Sequence, residues 1–142
     1  MSRTVRVVAA VFHAGNQVLA CRRKPEKSAG GKWEFPGGKI ETNESAEEAL
    51  QRELIEELDV HVKAVGSLIW RETTTISDLS IDLACYWVET DAFPKSSTDH
   101  NELRWCRVQE LGQLDFAAAD KPVVRELNRL EAVSGSISKM KG

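Results

Sequence analysis

Residues 38 to 60 decide the fold and the chemistry: Gly38-Lys39-Ile40-Glu41-Thr42-Asn43-Glu44-Ser45-Ala46-Glu47-Glu48-Ala49-Leu50-Gln51-Arg52-Glu53-Leu54-Ile55-Glu56-Glu57-Leu58-Asp59-Val60. From about Ser45 to Leu58 the residues Ala46, Ala49, Leu50, Leu54 and Leu58 recur at helical spacing, and Ser45 with Glu48 forms a capping-box pattern. The spacing predicts an amphipathic helix. On a wheel of about 100° per residue with Glu53 at zero, Glu57 falls at about 40° and Glu56 at about 300°, so three carboxylates share one face. Ala46, Ala49 and Leu50 lie on the same side, which places Glu53 and Glu57 inside the apolar arc. Burying an unpaired carboxylate costs several kcal/mol, and like charges one turn apart add repulsion, unless a cation neutralises them or a pKa rises. Oxygen ligands suit Mg²⁺ or Mn²⁺, and the absence of a nearby His or Cys argues against zinc. A solvated Glu-rich surface helix is the plainer alternative. The preceding Gly37-Gly38 pair weighs against it, because a Gly-Gly turn leaves backbone uncovered for a ligand.

Toward the N-terminus, Arg22 to Trp33 is basic, rich in Gly and Lys and without periodicity, and it leads into Glu34-Phe35-Pro36-Gly37-Gly38. This reads as a long loop, with Pro and paired Gly blocking regular structure. Val5 to Phe12 and Gln17 to Cys21 flank His13-Ala14-Gly15-Asn16, which predicts two strands around a turn. Beyond the helix, Val60 to Trp70, Ser80 to Glu89 and Leu103 to Val108 read as strands of a mixed sheet, and Asp91 to Asn101 as polar loop. Lys121 to about Val133 reads as a second amphipathic helix, with Asp120 placed to cap it and Pro122 just behind. Strands, helix, strands, helix suggest α/β (α+β) architecture, a mixed sheet packed between helices. Residues 1–133 make a single domain, and residues 134–142 a fraying tail.

The chain's 142 residues, 42% of them hydrophobic, build one ordinary core and exclude a two-domain enzyme. With 19 Lys and Arg against 22 Asp and Glu, the net charge of -3 gives no global basic field for a nucleic-acid polymer. Cys21, Cys85 and Cys106 form no CxxC pair, so a disulfide framework and a thiolate zinc site are both disfavoured and a reducing cytoplasm is expected. No stretch reads as a signal peptide or membrane span.

Gly38, Glu44 and the run Arg52-Glu53-Leu54-Ile55-Glu56-Glu57-Leu58-Asp59-Val60 resemble the Nudix box, departing only where Asp59 replaces a Gly. Asp tolerates the left-handed conformation better than most non-Gly residues, so the helix can still end in the usual way. Trp33-Glu34-Phe35-Pro36-Gly37-Gly38-Lys39-Ile40-Glu41, Arg22-Arg23 and Phe116-Ala117-Ala118-Ala119-Asp120-Lys121-Pro122 are similar to the MutT branch. The resemblance implies the Nudix fold, a mixed sheet between helices, and a Mg²⁺-dependent (Mn²⁺ as substitute) hydrolase of nucleoside triphosphates that yields monophosphate and diphosphate. It implies metal ligation by Glu53, Glu56, Glu57 and the Gly37 carbonyl, with Glu53 also the first choice as general base and Arg52 and Glu44 in support. A further ligand or base is expected from the loop before Trp105, with Asp99 and Glu102 as rivals; His100 is read as a loop residue. Substrate contacts fall on Arg23, on Glu34, Phe35, Pro36, Gly37, Gly38 and Lys39, and on Phe116 and Asp120.

Asp120 is the most informative residue for base choice. The resemblance implies Asn there in enzymes selective for oxidised guanine; an ionised Asp only accepts hydrogen bonds. That leans toward CTP or 5-methyl-dCTP, whereas the MutT-like segment from Trp33 to Glu41 favours 8-oxo-dGTP. Hydrolysis of ADP-ribose or another dinucleotide, and a non-catalytic nucleotide-binding module, are the further alternatives. Oligomeric state is not legible.

Overall fold

The structure is a computed structural model that describes residues 3–135; of the tail expected over 134–142, Ser134 instead ends the second helix and Gly135 caps it, and residues 136–142 lie outside the described residues. The chain runs β1 (Arg3–Val11), β2 (His13–Ala14), β3 (Gln17–Arg23), β4 (Trp33–Glu34), β5 (Gly37–Lys39), α1 (Ala46–Leu58), β6 (Ala64–Ile76), β7 (Leu79–Glu89), β8 (His100–Arg107) and α2 (Lys121–Ser134), with 3-10 turns at Val108–Gln113 and Ala118–Asp120.

The strands form two sheets rather than the one expected. One is mixed, in the order β5-β1-β7-β6; the other joins β2, β3 and β4, with β8 on β3. β1 pairs parallel with β7 from Arg3–Leu79 to Val11–Trp87 and antiparallel with β5. The expected opening hairpin therefore shrinks to a two-residue β2 against β3, because most of β1 is taken by partners far along the chain. Pairing with β1 also makes a strand of Gly37–Lys39, where Pro and paired Gly had suggested loop: a Cβ on Gly37 would meet Ala9 Cα at 2.7 Å, so glycine permits the approach.

Alternation along β1 shows why its apolar run is nearly continuous. Val8, Ala10 and Phe12 pack with Ala49, Leu50, Leu54 and Leu58 of α1, while Ala9 and Val11 pack with Val123, Val124 and Leu127 of α2. β3 divides in the same way, Leu19 and Cys21 against Val18 and Ala20. Strands covered on both faces lose the polar half of their pattern. The result is the expected α/β/α sandwich.

α1 is built by local signals. Ser45 Oγ accepts from Glu48 N at 3.0 Å while Glu48 Oε1 accepts from Ser45 N at 2.8 Å, closing the capping box. At the other end Asp59 sits at φ 54°, ψ 42°, the left-handed cap that the box normally assigns to Gly. The next strand starts only at Ala64, not Val60, because Val60 still closes the helix through its N–H to Leu54 O at 3.3 Å.

Candidate active site

A cavity of about 670 Å³ opens beside α1. Glu53 and Glu57 of α1, Gly37, Gly38 and Lys39 of β5, and Asp99 line it together with Arg23, Glu34, Phe35, Phe116 and Asp120. Apolar Val7, Ile81 and Leu83 complete the wall.

Glu57 is 6% exposed, and its Oε2 is a buried polar atom without a hydrogen-bond partner. Burial first, then a proton shared with Asp99 and the charges of Asp99, Glu53 and Glu34, push its carboxyl up to about 10. Burial also raises Glu53, against the opposing pull of Arg52. Gly38 is the cradle for Glu53: a Cβ there would come within 2.6 Å of Glu53 Oε1 and nearer still to Cδ and Oε2. No φ in the left-handed range is involved, so the glycine serves space rather than backbone freedom.

Arg52 stands behind these carboxylates. Its Nε and Nη2 fork onto Glu44 at 2.7 and 3.0 Å, Nη1 reaches Glu53 at 2.9 Å and Glu56 at 3.2 Å, and Nη2 also donates to Lys39 O. The Arg52 fork holds Glu44 down at about 2. These contacts tie loop, β5 and helix into one frame. Glu56 is 59% exposed, does not line the cavity and remains on Arg52, so the three helix carboxylates do not all converge. Of the two loop rivals, Asp99 lines the cavity. Glu102 lies in β8, pairs with Arg104 at 2.7 Å and does not line it.

Among the described residues, no three potential ligands are already gathered as a metal cage. The residues nevertheless fit a hard divalent cation. Glu57 Oε2 is an orphaned buried oxygen, and its carboxylate neighbours Glu53 and Asp99 pair with Arg52 and Lys27, so Glu57 is the carboxyl left without positive charge.

A second set of residues forms around β4. Phe35 and Phe116 lie 5.2 Å apart between ring centroids at 37°. Trp33 N donates to Asp115 O and Ala117 N to Trp33 O, locking the segment from 115 to 120 beside β4. Pro36 does not line the cavity; its carbonyl accepts from Ala10 N. Asp120 does not cap α2 with its side chain, as expected from sequence. It turns inward, where Oδ1 accepts from Phe35 N at 3.1 Å. Burial, then the charge of Glu34, push its carboxyl up to about 8, outweighing the Phe35 N–H and Arg23. That direction favours a protonated Asp120, which would donate as well as accept, over the ionised acceptor expected from sequence.

Arg23 donates from Nη1 to Glu34 Oε2 at 3.1 Å and from Nε to Ser28 O at 2.6 Å. His100, read from sequence as loop, is instead the first residue of β8 and 4% exposed, with Nε2 at 2.8 Å from Glu34 Oε2. Sequence reasoning missed it because its burial comes from pairing with β3, which no local pattern announces.

Carboxylates on one side of the cavity and an aromatic pair with a buried acid on the other suit a ligand with a charged part and a flat polar part. Comparison with known proteins identifies the class: the NUDIX domain family matches residues 2–127, and the chain belongs to this family. A CTP pyrophosphohydrolase of Escherichia coli (strain K12) is 32% identical over 130 residues, covering 92% of this chain and 96% of that protein. An 8-oxo-dGTP diphosphatase of the same organism is 30% identical over 130 residues, covering 92% of this chain and all (100%) of that one. The solution structure of the Escherichia coli ORF135 protein superposes with a TM-score of 0.78 at 32% identity, covering 94% of each chain. Among the described residues, no helix is long and apolar enough to cross a membrane.

Proposed function

We propose that this Nudix hydrolase converts nucleoside triphosphates to monophosphate and diphosphate with Mg²⁺, in the manner of MutT-type enzymes that clear modified nucleotides such as 8-oxo-dGTP. The observation that carries the reading is one cavity lined both by Glu53, Glu57 and Asp99 and by Phe35, Phe116 and Asp120. Glu53, Glu57 and Asp99, with the Gly37 carbonyl, would hold the cation, Mn²⁺ substituting. Bound there, it would neutralise phosphate charge and polarise the phosphoryl group and a water. Glu53, raised by burial and held by Arg52, would accept the proton of the attacking water. Arg23, Lys39 and Lys121 bring positive charge to the same cavity. Phe35 and Phe116 offer flat apolar area for the base.

Hydrolysis of CTP, dCTP or 5-methyl-dCTP is the second reading. A neutral Asp120 offers one donor and leaves acceptor capacity, as an amide does, so the residue that leaned toward cytosine fits 8-oxoguanine as well. A cytoplasmic location accords with Cys21, Cys85 and Cys106, all free and buried. The test is product analysis on 8-oxo-dGTP, dGTP, CTP, 5-methyl-dCTP and ADP-ribose with Mg²⁺. Diphosphate from one or more triphosphates supports the proposal. AMP from ADP-ribose alone points to the dinucleotide reading, and binding without turnover to a non-catalytic module.

A further inference from the structure

His100 belongs to a hydrogen-bond chain whose donors and acceptors can all be assigned. Ser97 Oγ accepts from the backbone N–H of Asp99 and of His100, each at 3.2 Å, so both lone pairs of the hydroxyl are used. Its own proton is then free for His100 Nδ1, 2.7 Å away. An acceptor at Nδ1 requires the proton of the neutral ring to sit on Nε2, and Nε2 faces Glu34 Oε2 at 2.8 Å. Arg23 Nη1 donates to that same oxygen at 3.1 Å. No protein donor among the described residues is recorded on the other Glu34 oxygen, and Glu34 lines the cavity beside Asp120.

The backbone is shaped for this. β3 and β8 pair in register from Gln17–Arg107 to Arg22–Glu102, then the register shifts so that Arg23 lies opposite His100. The extra residue, Asn101, is a bulge of the kind that re-aims a side chain. The same turn places Asp99 near Glu57, and Thr98 N donates to Glu57 O at 3.0 Å. One short segment thus serves both sets of cavity residues.

We infer that His100 is a positioning residue for base recognition: held as the Nε2–H tautomer by Ser97, it fixes one oxygen of Glu34 so that the other accepts an N–H from a nucleobase bearing an exocyclic amino group. This rests on the nucleotide-hydrolase reading above. Loss of the His100 contact leaves Glu34 held by Arg23 alone and free to swing its second oxygen. The lost contact lies on the Glu34 side of the cavity, while Ser97 still holds Asp99 through its backbone N–H, so KM and base choice are expected to change more than kcat.

The experiment compares His100→Ala, His100→Asn and His100→Gln with wild type, using CTP against UTP and 8-oxo-dGTP against 8-oxo-dITP, pairs in which only the first base carries the amino group. Gln places an amide N–H where Nε2 was; Asn reaches only the Nδ1 position. In Ala and Asn, KM for the amino-bearing nucleotide is expected to rise roughly tenfold, the scale of one lost hydrogen bond to a charged group, and its advantage over the partner to vanish. Gln restores both. A folded Ala variant with wild-type KM and preference overturns the inference, as does an equal fall of kcat in all three variants with lowered melting temperatures. If wild type turns over none of these nucleotides, the functional reading fails instead. The ¹⁵N spectrum of the imidazoles then decides the contact itself: an Nε2–H tautomer for His100 that is lost in Glu34→Ala supports it, and an Nδ1–H or averaged tautomer overturns it.

Discussion

Replacing Gly38 by Ala separates the site from the fold. The added Cβ would lie 2.6 Å from Glu53 Oε1 and closer to Cδ and Oε2, whereas ordinary contact begins near 3.4 Å. The carboxylate must therefore retreat by about 1 Å. A misplacement of that size in a reacting constellation costs on the order of 10²-fold in turnover, or about 2.7 kcal/mol of transition-state stabilisation. Stability should hardly change. The clash is with the end of a side chain, Gly38 is not in a left-handed conformation, and Ala restricts the unfolded chain, so the net effect stays within about 1 kcal/mol. Gly37→Ala is the contrast. Its Cβ would strike the backbone of Val8 and Ala9, which cannot swing aside, and the strain of about 3 kcal/mol should lower the melting temperature by about 10 °C. Thermal melts, diphosphate release and Mn²⁺ affinity by electron paramagnetic resonance read the two variants. Gly38→Ala with wild-type turnover and Mn²⁺ affinity, or with the instability of Gly37→Ala, would refute the reasoning.

Without divalent cation, the raised Glu57 carboxyl makes the folded state bind a proton that the unfolded state releases, so stability should fall as pH rises from about 4.5 to about 10. Glu57→Gln should flatten that slope in pH-dependent melts, and calorimetry in two buffers should find protons expelled when wild type binds Mg²⁺. Asp120→Asn should keep turnover near wild type at pH 7, where a protonated Asp120 is favoured. Only wild type should lose base affinity as pH passes about 8, read as KM against pH. Arg52→Lys loses the fork onto Glu44 and the reach to Glu53, so kcat should fall at least tenfold, on the scale of a charge-assisted bond, with little change in melting temperature. Ser45→Ala removes the helix cap and should cost about 1 kcal/mol in urea denaturation, leaving KM unchanged.

What was legible in the sequence is what is local. Ser45 and Glu48 announce the start of α1, Asp59 its end, and the wheel places Glu53 and Glu57 inward because those signals lie within a few residues of one another. Pairing across long separations leaves no such trace. β1 finds β7 76 residues away, from Arg3–Leu79 to Val11–Trp87, and Gly37–Lys39 becomes a strand only because β1 is there to receive it. The same holds for single side chains. His100 is buried by β3, and the Asp120 side chain, at the N-cap of α2, turns instead to Phe35 N–H, where its own burial and the nearby Glu34 raise its carboxyl. Glu56 shares a helical face with Glu53, yet it stays exposed beside Arg52 and does not line the cavity.

The most direct measurement is steady-state diphosphate release from 8-oxo-dGTP, CTP and 5-methyl-dCTP with Mg²⁺, on wild type and on Glu53→Gln of matched melting temperature. A phosphohydrolase centred on the acidic helix predicts monophosphate and diphosphate from at least one of them, with turnover lost by about 10³-fold or more in the variant. Equal turnover in Glu53→Gln, or no diphosphate from any nucleoside triphosphate, would contradict it.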